Sequence, residues 1–249
     1  MGLKVATFNI SGGFYGGDES TEYFDRAAAK AIDNRLLKQI IEIINDEDLD
    51  VIAFQEIITT PEIGYISAIV EATQLKNVAE FETSECNLVE GTRCGVAVFS
   101  KYPLKNIEKH WFPNPKLSKT TESGNTYYSY DKGIIVCDIE APSGNLRFLT
   151  HHNFPFGRFN SKPEDYPEVF TFFDDLIAEK QPDVVTGDFN VLDFMKLMPK
   201  LANDYRRTID DVTTVDGKKI DDIVVRKDAS CESRQLKTLS DHNCIIGEL

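Results

Sequence analysis

Short apolar runs that each stop at a chemically active side chain constrain this sequence most. Residues 5–8 lead to Asn9, 51–55 to Glu56, 146–150 to His151 and 184–187 to Asp188. The runs are short and rich in apolar and β-branched residues, so each reads as a buried strand. Strands buried on both faces need helices or a second sheet to cover them. Two more polar signals, Ile220-Asp221-Asp222 and Ser240-Asp241-His242, sit just before the strand-like stretches 223–226 and 243–247. Strand exits and antiparallel strand entries share one rim of a sheet. Six segments are therefore expected to converge on one acidic, His-containing cleft, a donor set suited to metal-assisted hydrolysis.

The stretches between these runs supply the covering layers. Apolar side chains at positions 24, 28, 32, 36, 40 and 44 predict an amphipathic helix over 24–44, ending at the acids Asp46, Glu47 and Asp48. Helices are also expected over 61–73 and 165–180, the latter with Asp165 as its cap and Pro167 in its first turn. Residues 78–83, 93–99, 105–112 and 127–140 read as strands, with a hairpin turn at 142–145 before the strand 146–150. The Gly-rich stretch 11–17 suits a flap beside Asn9 as well as it suits an ordinary loop. Helices interspersed with two sets of strands predict an α/β fold with sheets packed face to face and helices outside. With 249 residues, 41% hydrophobic, and no linker or repeat, residues 1–249 are expected to form one domain.

Composition narrows the function. The formal net charge is −14, and no basic cluster exceeds Arg206-Arg207 or Lys218-Lys219. A tight grip on a long polyanion is disfavoured, and a small or short phosphoester is the expected substrate. The five cysteines are scattered and odd in number, as expected of small buried hydrophobes in a reducing compartment. The start lacks a secretory pattern, and no apolar run approaches the ~20 residues of a bilayer span. A cytoplasmic protein without stable membrane insertion is expected. No Gly-x-Ser-x-Gly elbow, cysteine-nucleophile motif or phosphate-cradling Gly-Lys-Ser/Thr is present.

Individual residues carry competing readings. In Gly187-Asp188-Phe189-Asn190, Asp188 and Asn190 are placed to point into a cleft while Phe189 turns to the core; an Asx turn explains the same residues. His242 cannot easily be oriented by adjacent Asp241, so a second acid is required, and Asp221 is the candidate. His151 and His152 point to opposite faces of their strand. Alternation groups His151 with Leu149 but does not say which face is the cleft. Aromatics near the expected rim (Phe154, Phe156, Phe159, Tyr127, Tyr128) suit a stacking wall, although core packing is the commoner use. Arg158 and Lys162 suit a distal phosphate or a solvated loop.

Taken in order, Thr7-Phe8-Asn9-Ile10, Gln55-Glu56, the stretch 95–104, Thr150-His151, Gly187-Asp188-Phe189-Asn190, Ile220-Asp221-Asp222-Ile223 and Ser240-Asp241-His242 resemble the endonuclease/exonuclease/phosphatase superfamily. The resemblance implies a four-layered α/β sandwich, two packed mixed β-sheets flanked by helices. It implies a Mg²⁺-dependent phosphoester hydrolase with one or two ions, with Mn²⁺ as the alternative ion. Asn9, Glu56 and Asp241 match metal-site positions. Asp188 matches the residue that activates or orients the attacking water, with Asn190 in support. His242 matches the imidazole that contacts the phosphate or acts as base, and Asp221 the acid orienting it. His151 matches a general-acid or phosphate-contacting histidine. Arg93 falls where deoxyribonuclease-type members carry an acid, and is expected to contact a phosphate instead; Arg158 is expected to bind substrate. The implied substrate is a nucleic acid or small nucleotide phosphodiester. Phospholipid or inositol-phosphate hydrolysis is the alternative, and a non-catalytic binding module on the same fold is the rival of another class.

Overall fold

The structure, a computed structural model, describes residues 2–13, 34–86 and 91–249. Two six-stranded sheets dominate it. In the first, β1 (Lys4–Asn9) lies parallel to β2 (Val51–Ile58). β4 (Arg93–Ser100) and β3 (Asn77–Glu85) extend it beyond β2, while β14 (Cys244–Glu248) and β13 (Glu232–Leu236) extend it beyond β1, giving the order β13-β14-β1-β2-β4-β3. The second sheet repeats this plan. β9 (Gly144–His152) lies parallel to β10 (Val184–Asp188), β8 (Gly133–Ala141) and β5 (Leu104–Trp111) flank β9, and β12 (Asp221–Arg226) and β11 (Tyr205–Arg207) flank β10. A small hairpin of β6 (Ser118–Thr120) and β7 (Thr126–Tyr128) projects between β5 and β8.

Alternation along each strand sorts its side chains between two cores. Val5, Val51, Ala53, Phe148, Val184, Ile223 and Val225 meet between the sheets. Ala6, Phe8, Ile52 and Phe54 instead face α1 (Asn34–Asp46) and α2 (Tyr65–Ala72) through Leu36, Ile40, Ile44 and Ile69. On the far side, Leu149, Val185 and Val224 face α3 (Pro167–Lys180) through Val169, Phe170, Phe173 and Ile177. Each fully buried Val, Leu, Ile or Phe among them contributes about 1.5–3 kcal/mol of transfer free energy. Two short helices, α4 (Phe194–Leu197) and α5 (Pro199–Asp204), complete that outer layer. The result is the four-layered α/β sandwich. Between the sheets, the buried Gln55 amide bridges Thr7 Oγ1 at 3.1 Å and Thr150 Oγ1 at 3.2 Å, tying the two sheets together directly beneath the rim.

Several expected boundaries shift for local reasons. The segment 61–73 is not one helix. Gly64, at φ 73°, separates a 3-10 turn from α2. Asp165 does not cap α3; it ends a separate 3-10 turn, and Tyr166 occupies the cap position without a side-chain bond. The stretch 127–140 is two strands, because residues 129–132 leave the ladder. There Asn114 Nδ2 donates to Ser129 O and to Asp131 Oδ1, and Ser129 N donates to Leu117 O. Asp221 and Asp222 lie inside the first positions of β12 rather than before it. The hairpin turn narrows to the two residues between paired Ala141 and Gly144. Residues 24–33 of the expected first helix and 14–17 of the expected flap lie outside the described residues; α1 ends at Asp46 as expected. All five cysteines are buried, and none forms a disulfide. Among the described residues, no helix is long and apolar enough to cross a membrane.

Candidate active site

The C-terminal ends of β1, β2, β9 and β10 and the starts of β12 and β14 share one rim, and a cleft partly open to solvent lies there. Asn9, Glu56, Asp188, Asn190, Arg158, Asp241 and His242 all line it. Asn9 and Asp188 arrive by simple alternation, continuing the inter-sheet positions Val5 and Thr7 or Val184 and Thr186. Asp221 does the same ahead of Ile223 and Val225.

Glu56 does not. Val51, Ala53 and Gln55 face the other sheet, so alternation would send Glu56 under the helices. A β-bulge between Gln55 and Ile57, with Glu56 at φ 55°, turns its carboxylate into the cleft. Gly187 provides a second local device. At φ 147°, a side chain there would put its Cβ 2.2 Å from His151 O, so only glycine lets β10 run this close beside β9.

The centre is a line of buried groups. Nδ1 of His242 lies 3.0 and 2.9 Å from the two carboxylate oxygens of Asp221. Thr213 Oγ1 donates to Asp221 Oδ2 at 2.7 Å, so the orienting acid is itself held. On the other side of the ring, Nε2 lies 4.0 Å from Asp188 Oδ2 and 3.9 Å from Asp241 Oδ1. Asp188 accepts from Asn9 Nδ2 at 3.0 Å and from the Asn190 backbone N–H at 2.7 Å. The last contact is the Asx turn weighed in the sequence, and Phe189 is fully buried, so both readings of the 187–190 motif hold together. Asn190 Nδ2 donates to Asn153 O, and Ser240 Oγ donates to Asn9 O, stitching these loops to one another.

Charge is unevenly satisfied here. Burial and the neighbouring Asp221 push Asp188 up to about 7, against the pull of His242 and the two hydrogen bonds. Burial opposes protonation of His242, but Asp221, Asp241 and Asp188 outweigh it and raise its pKa to about 10. A folded pKa of about 10 means the folded state keeps a proton that the unfolded chain sheds near 6.5. This stability is fully present below pH 6.5 and is lost as pH rises through 10. Asp188 has the same sign but completes its loss by about pH 7. In EDTA, the melting temperature is therefore expected to fall steadily from about pH 7 to pH 8.5, with the slope reduced in His242→Gln. A flat profile in the unmodified protein contradicts this account.

His151 is a correction. It shares the helix-facing side of β9 with Leu149, and its ring centroid is 4.4 Å from Phe173 and 4.3 Å from Phe189. Burial alone depresses its pKa to about 3. It does not reach the cleft and cannot touch a phosphate there. His152 faces the inter-sheet side with Phe148 and Thr150, and lies just beneath the cleft floor. Its Nε2 is 3.5 Å from Glu56 Oε1 and 3.7 Å from Asp188 Oδ2. Burial first, and then the charge of Lys132, hold it well below the usual imidazole range.

Arg93 is also corrected. It starts β4, is exposed, and pairs with Glu82 at 2.9 Å rather than lining the cleft. Arg158 does line it, 3.8 Å from Asp241 Oδ2. Lys162 is exposed and does not line this cleft. Of the aromatics, Phe154 and Phe156 belong to the core under α3, whereas Tyr128 and Phe159 line the cleft. Sequence reasoning missed Lys132 and Tyr130, which also line it, and Thr213 behind Asp221. Polar residues 129–132 interrupting a long apolar run were the available signal for the first two.

The donor set fits a hard divalent cation. Glu56 and Asp241 present carboxylate oxygens to the cleft, with Asn9 beside them. Asp188, Asp221 and His242 also bring potential ligand atoms within 4.8 Å of one another. There, however, His242 and Thr213 already engage both oxygens of Asp221, so this group reads as an orienting set rather than a metal cage.

A search of curated protein sequences gives no match. Solved structures do match over the whole chain. The catalytic domain of human nocturnin, solved with a bound sulfate anion, is 16% identical, covering 99% of this chain and 92% of that one at a TM-score of 0.66. Sphingomyelinase C from Streptomyces griseocarneus is 15% identical, covering 100% and 99%, at 0.64. A mannosyl-6-phosphatase from Bacteroides thetaiotaomicron is 14% identical, covering 99% and 98%, at 0.61. At these identities the likeness is one of fold. The model of the endonuclease/exonuclease/phosphatase family matches residues 6–242, a span running from β1 to His242, and the chain belongs to that family.

Proposed function

We propose that this protein is a Mg²⁺-dependent phosphoesterase acting on a small nucleotide phosphodiester or a short nucleic acid. The single observation that carries the reading is the Asp221–His242–Asp188 line, opening on a cleft that also holds Glu56, Asn9 and Asp241. Those last three would hold the ion. When bound, it supplies charge neutralisation at the phosphate and polarisation of the P–O bond. Asp188, fixed by Asn9 and Asn190, orients the attacking water and accepts its proton. His242, fixed by Asp221, presents Nε2 to the phosphate oxygens as charge develops. Arg158 sits at the cleft wall to meet a further anionic group.

Tyr128 and Tyr130 favour a substrate with a planar base. They are 65% and 37% exposed at the cleft, and an aromatic face there stacks on any nucleobase. The net charge of −14 favours a short substrate over a long one. A second reading, a lipid phosphodiester, draws on exposed Leu192, Val212 and Val215 in loops next to Asn190 and Asp241. The names of the structural neighbours span a phosphatase and a sphingomyelinase, so the fold leaves both readings open.

Release of nitrophenol from bis(p-nitrophenyl) phosphate is expected with Mg²⁺ and is expected to vanish in EDTA. Release that persists in EDTA removes the metal from the reading, and no release at all removes the hydrolase reading and leaves the binding module. A panel of dinucleotides, short RNA and DNA, inositol phosphates and sphingomyelin then separates the substrates.

A further inference from the structure

In the Ile220-Asp221-Asp222 signal, the second acid has no part in the chemistry above. Alternation sends the two neighbours to opposite faces of β12. Asp221 meets His242 at the cleft, whereas Asp222 points under the outer helical layer and is fully buried. A carboxylate buried there needs a cation and hydrogen bonds. Arg207, the last residue of β11, supplies the cation, with Nε donating to Asp222 Oδ2 at 2.6 Å. The other oxygen, Oδ1, accepts from the Thr208 backbone N–H at 3.1 Å.

The rest of the guanidinium reaches two further segments. One η nitrogen donates to Leu192 O at 2.8 Å, and the other donates to Lys219 O at 3.4 Å. The central Cζ lies 4.5 Å over the Phe194 ring, which stacks on Phe189 at 3.6 Å. One planar fork therefore ties the loop after Asp188 and Asn190 to residues on both sides of Asp221. Arg207 itself does not line the cleft. A lysine could meet Asp222 or Leu192 O as a point charge, but it has no fork to hold them together.

We propose that Arg207 is a positioning residue that locks the start of β12 to the loop after β10, and so places Asp221 against Nδ1 of His242. Asp188 and Asp221 are opposite one another in the β10–β12 ladder, so the two segments that the fork joins are the ones that carry them. With the fork in place, His242 is held by Asp221 while its Nε2 stays 4.0 Å from Asp188. Without it, the loop and the strand start part, and the ring loses its fixed bearing on Asp188. Arg207 thus acts on the reaction through Asp221 and His242, without touching substrate. The bearing on turnover rests on the phosphoesterase reading; the lock between the two segments does not.

Two variants test this. Arg207→Lys keeps a charge for Asp222, and Arg207→Met with Asp222→Asn removes both charges, so neither leaves a buried carboxylate alone. Amide hydrogen exchange read by mass spectrometry reports the lock without any substrate. Peptides covering 189–194 and 219–222 should exchange about tenfold faster in both variants, while a peptide covering 51–55 keeps its rate. Unchanged exchange in the first two peptides overturns the proposal. On bis(p-nitrophenyl) phosphate with Mg²⁺, kcat per folded molecule should drop about 10–100-fold, the range for losing a group that orients an active-site ligand. KM should stay within about twofold, because no substrate contact is lost. In the His242→Ala background, Arg207→Lys should slow turnover by no more than about twofold, since the ring it serves is gone. A raised KM at unchanged kcat, unchanged turnover in both variants, or losses that multiply with His242→Ala each overturn the action through Asp221 and His242. If exchange rises as expected but the unmodified protein hydrolyses nothing, the phosphoesterase reading fails and the lock stands.

Discussion

Replacing His242 by alanine is expected to lower kcat/KM on a phosphodiester probe by about 10²–10⁴-fold, the range for losing a positioned acid–base group. Asp221→Asn should fall in the same range, because Asp221 accepts from Nδ1 through both oxygens, and an amide in its place favours the wrong tautomer. The informative measurement is the double variant. If Asp221 acts only through His242, the two losses do not add, and His242→Ala with Asp221→Asn is no slower than His242→Ala alone. Multiplying losses would mean that Asp221 touches the reaction by another route. Breaking a buried pair also costs about 3–5 kcal/mol, so melting curves must accompany the kinetics. His242→Gln retains a donor toward Asp221 and serves as the folded control.

The strands of this site were legible because their composition leaves little choice. A run such as Val184–Asp188 cannot satisfy its side chains outside a buried ladder, and the polar group that ends it must lie at the rim. The Asp221–His242 pairing was legible from stereochemistry, since Asp241 is too near in sequence to orient the ring. What alternation alone could not fix was the identity of the cleft face. His151 and His152 were distinguishable only once Leu149 was seen to pack under α3 and Thr150 to meet Gln55 across the sheets. Lys132 was hidden for a different reason. Residues 127–140 look like one strand because Tyr127, Tyr128 and the run from Ile134 carry the β signal. The break depends on Asn114, a distant residue that captures Ser129 O and Asp131. Arg93 was misplaced because nothing in the sequence shows that Glu82 lies beside it on the neighbouring strand.

Glu56→Ala is expected to remove metal-dependent turnover by on the order of 10³-fold, matching the several kcal/mol that cation polarisation supplies. Glu56 is also where the backbone is least comfortable. A non-glycine residue at φ 55° costs about 1–2 kcal/mol, and the bulge that imposes it has one evident effect, which is to re-aim this carboxylate from the helix side into the cleft. Activity and stability should therefore move in opposite directions here. Glu56→Gly relieves the left-handed conformation and Glu56→Ala does not. The glycine variant should melt about 2–4 °C above the alanine variant, the shift expected for about 1 kcal/mol in a chain of this size, while both are equally inactive. In both variants the thermal stabilisation given by Mg²⁺ should shrink with the loss of a ligand. Full turnover in Glu56→Ala, or an alanine variant more stable than the glycine one, would mean that the bulge serves the sheet rather than the cation.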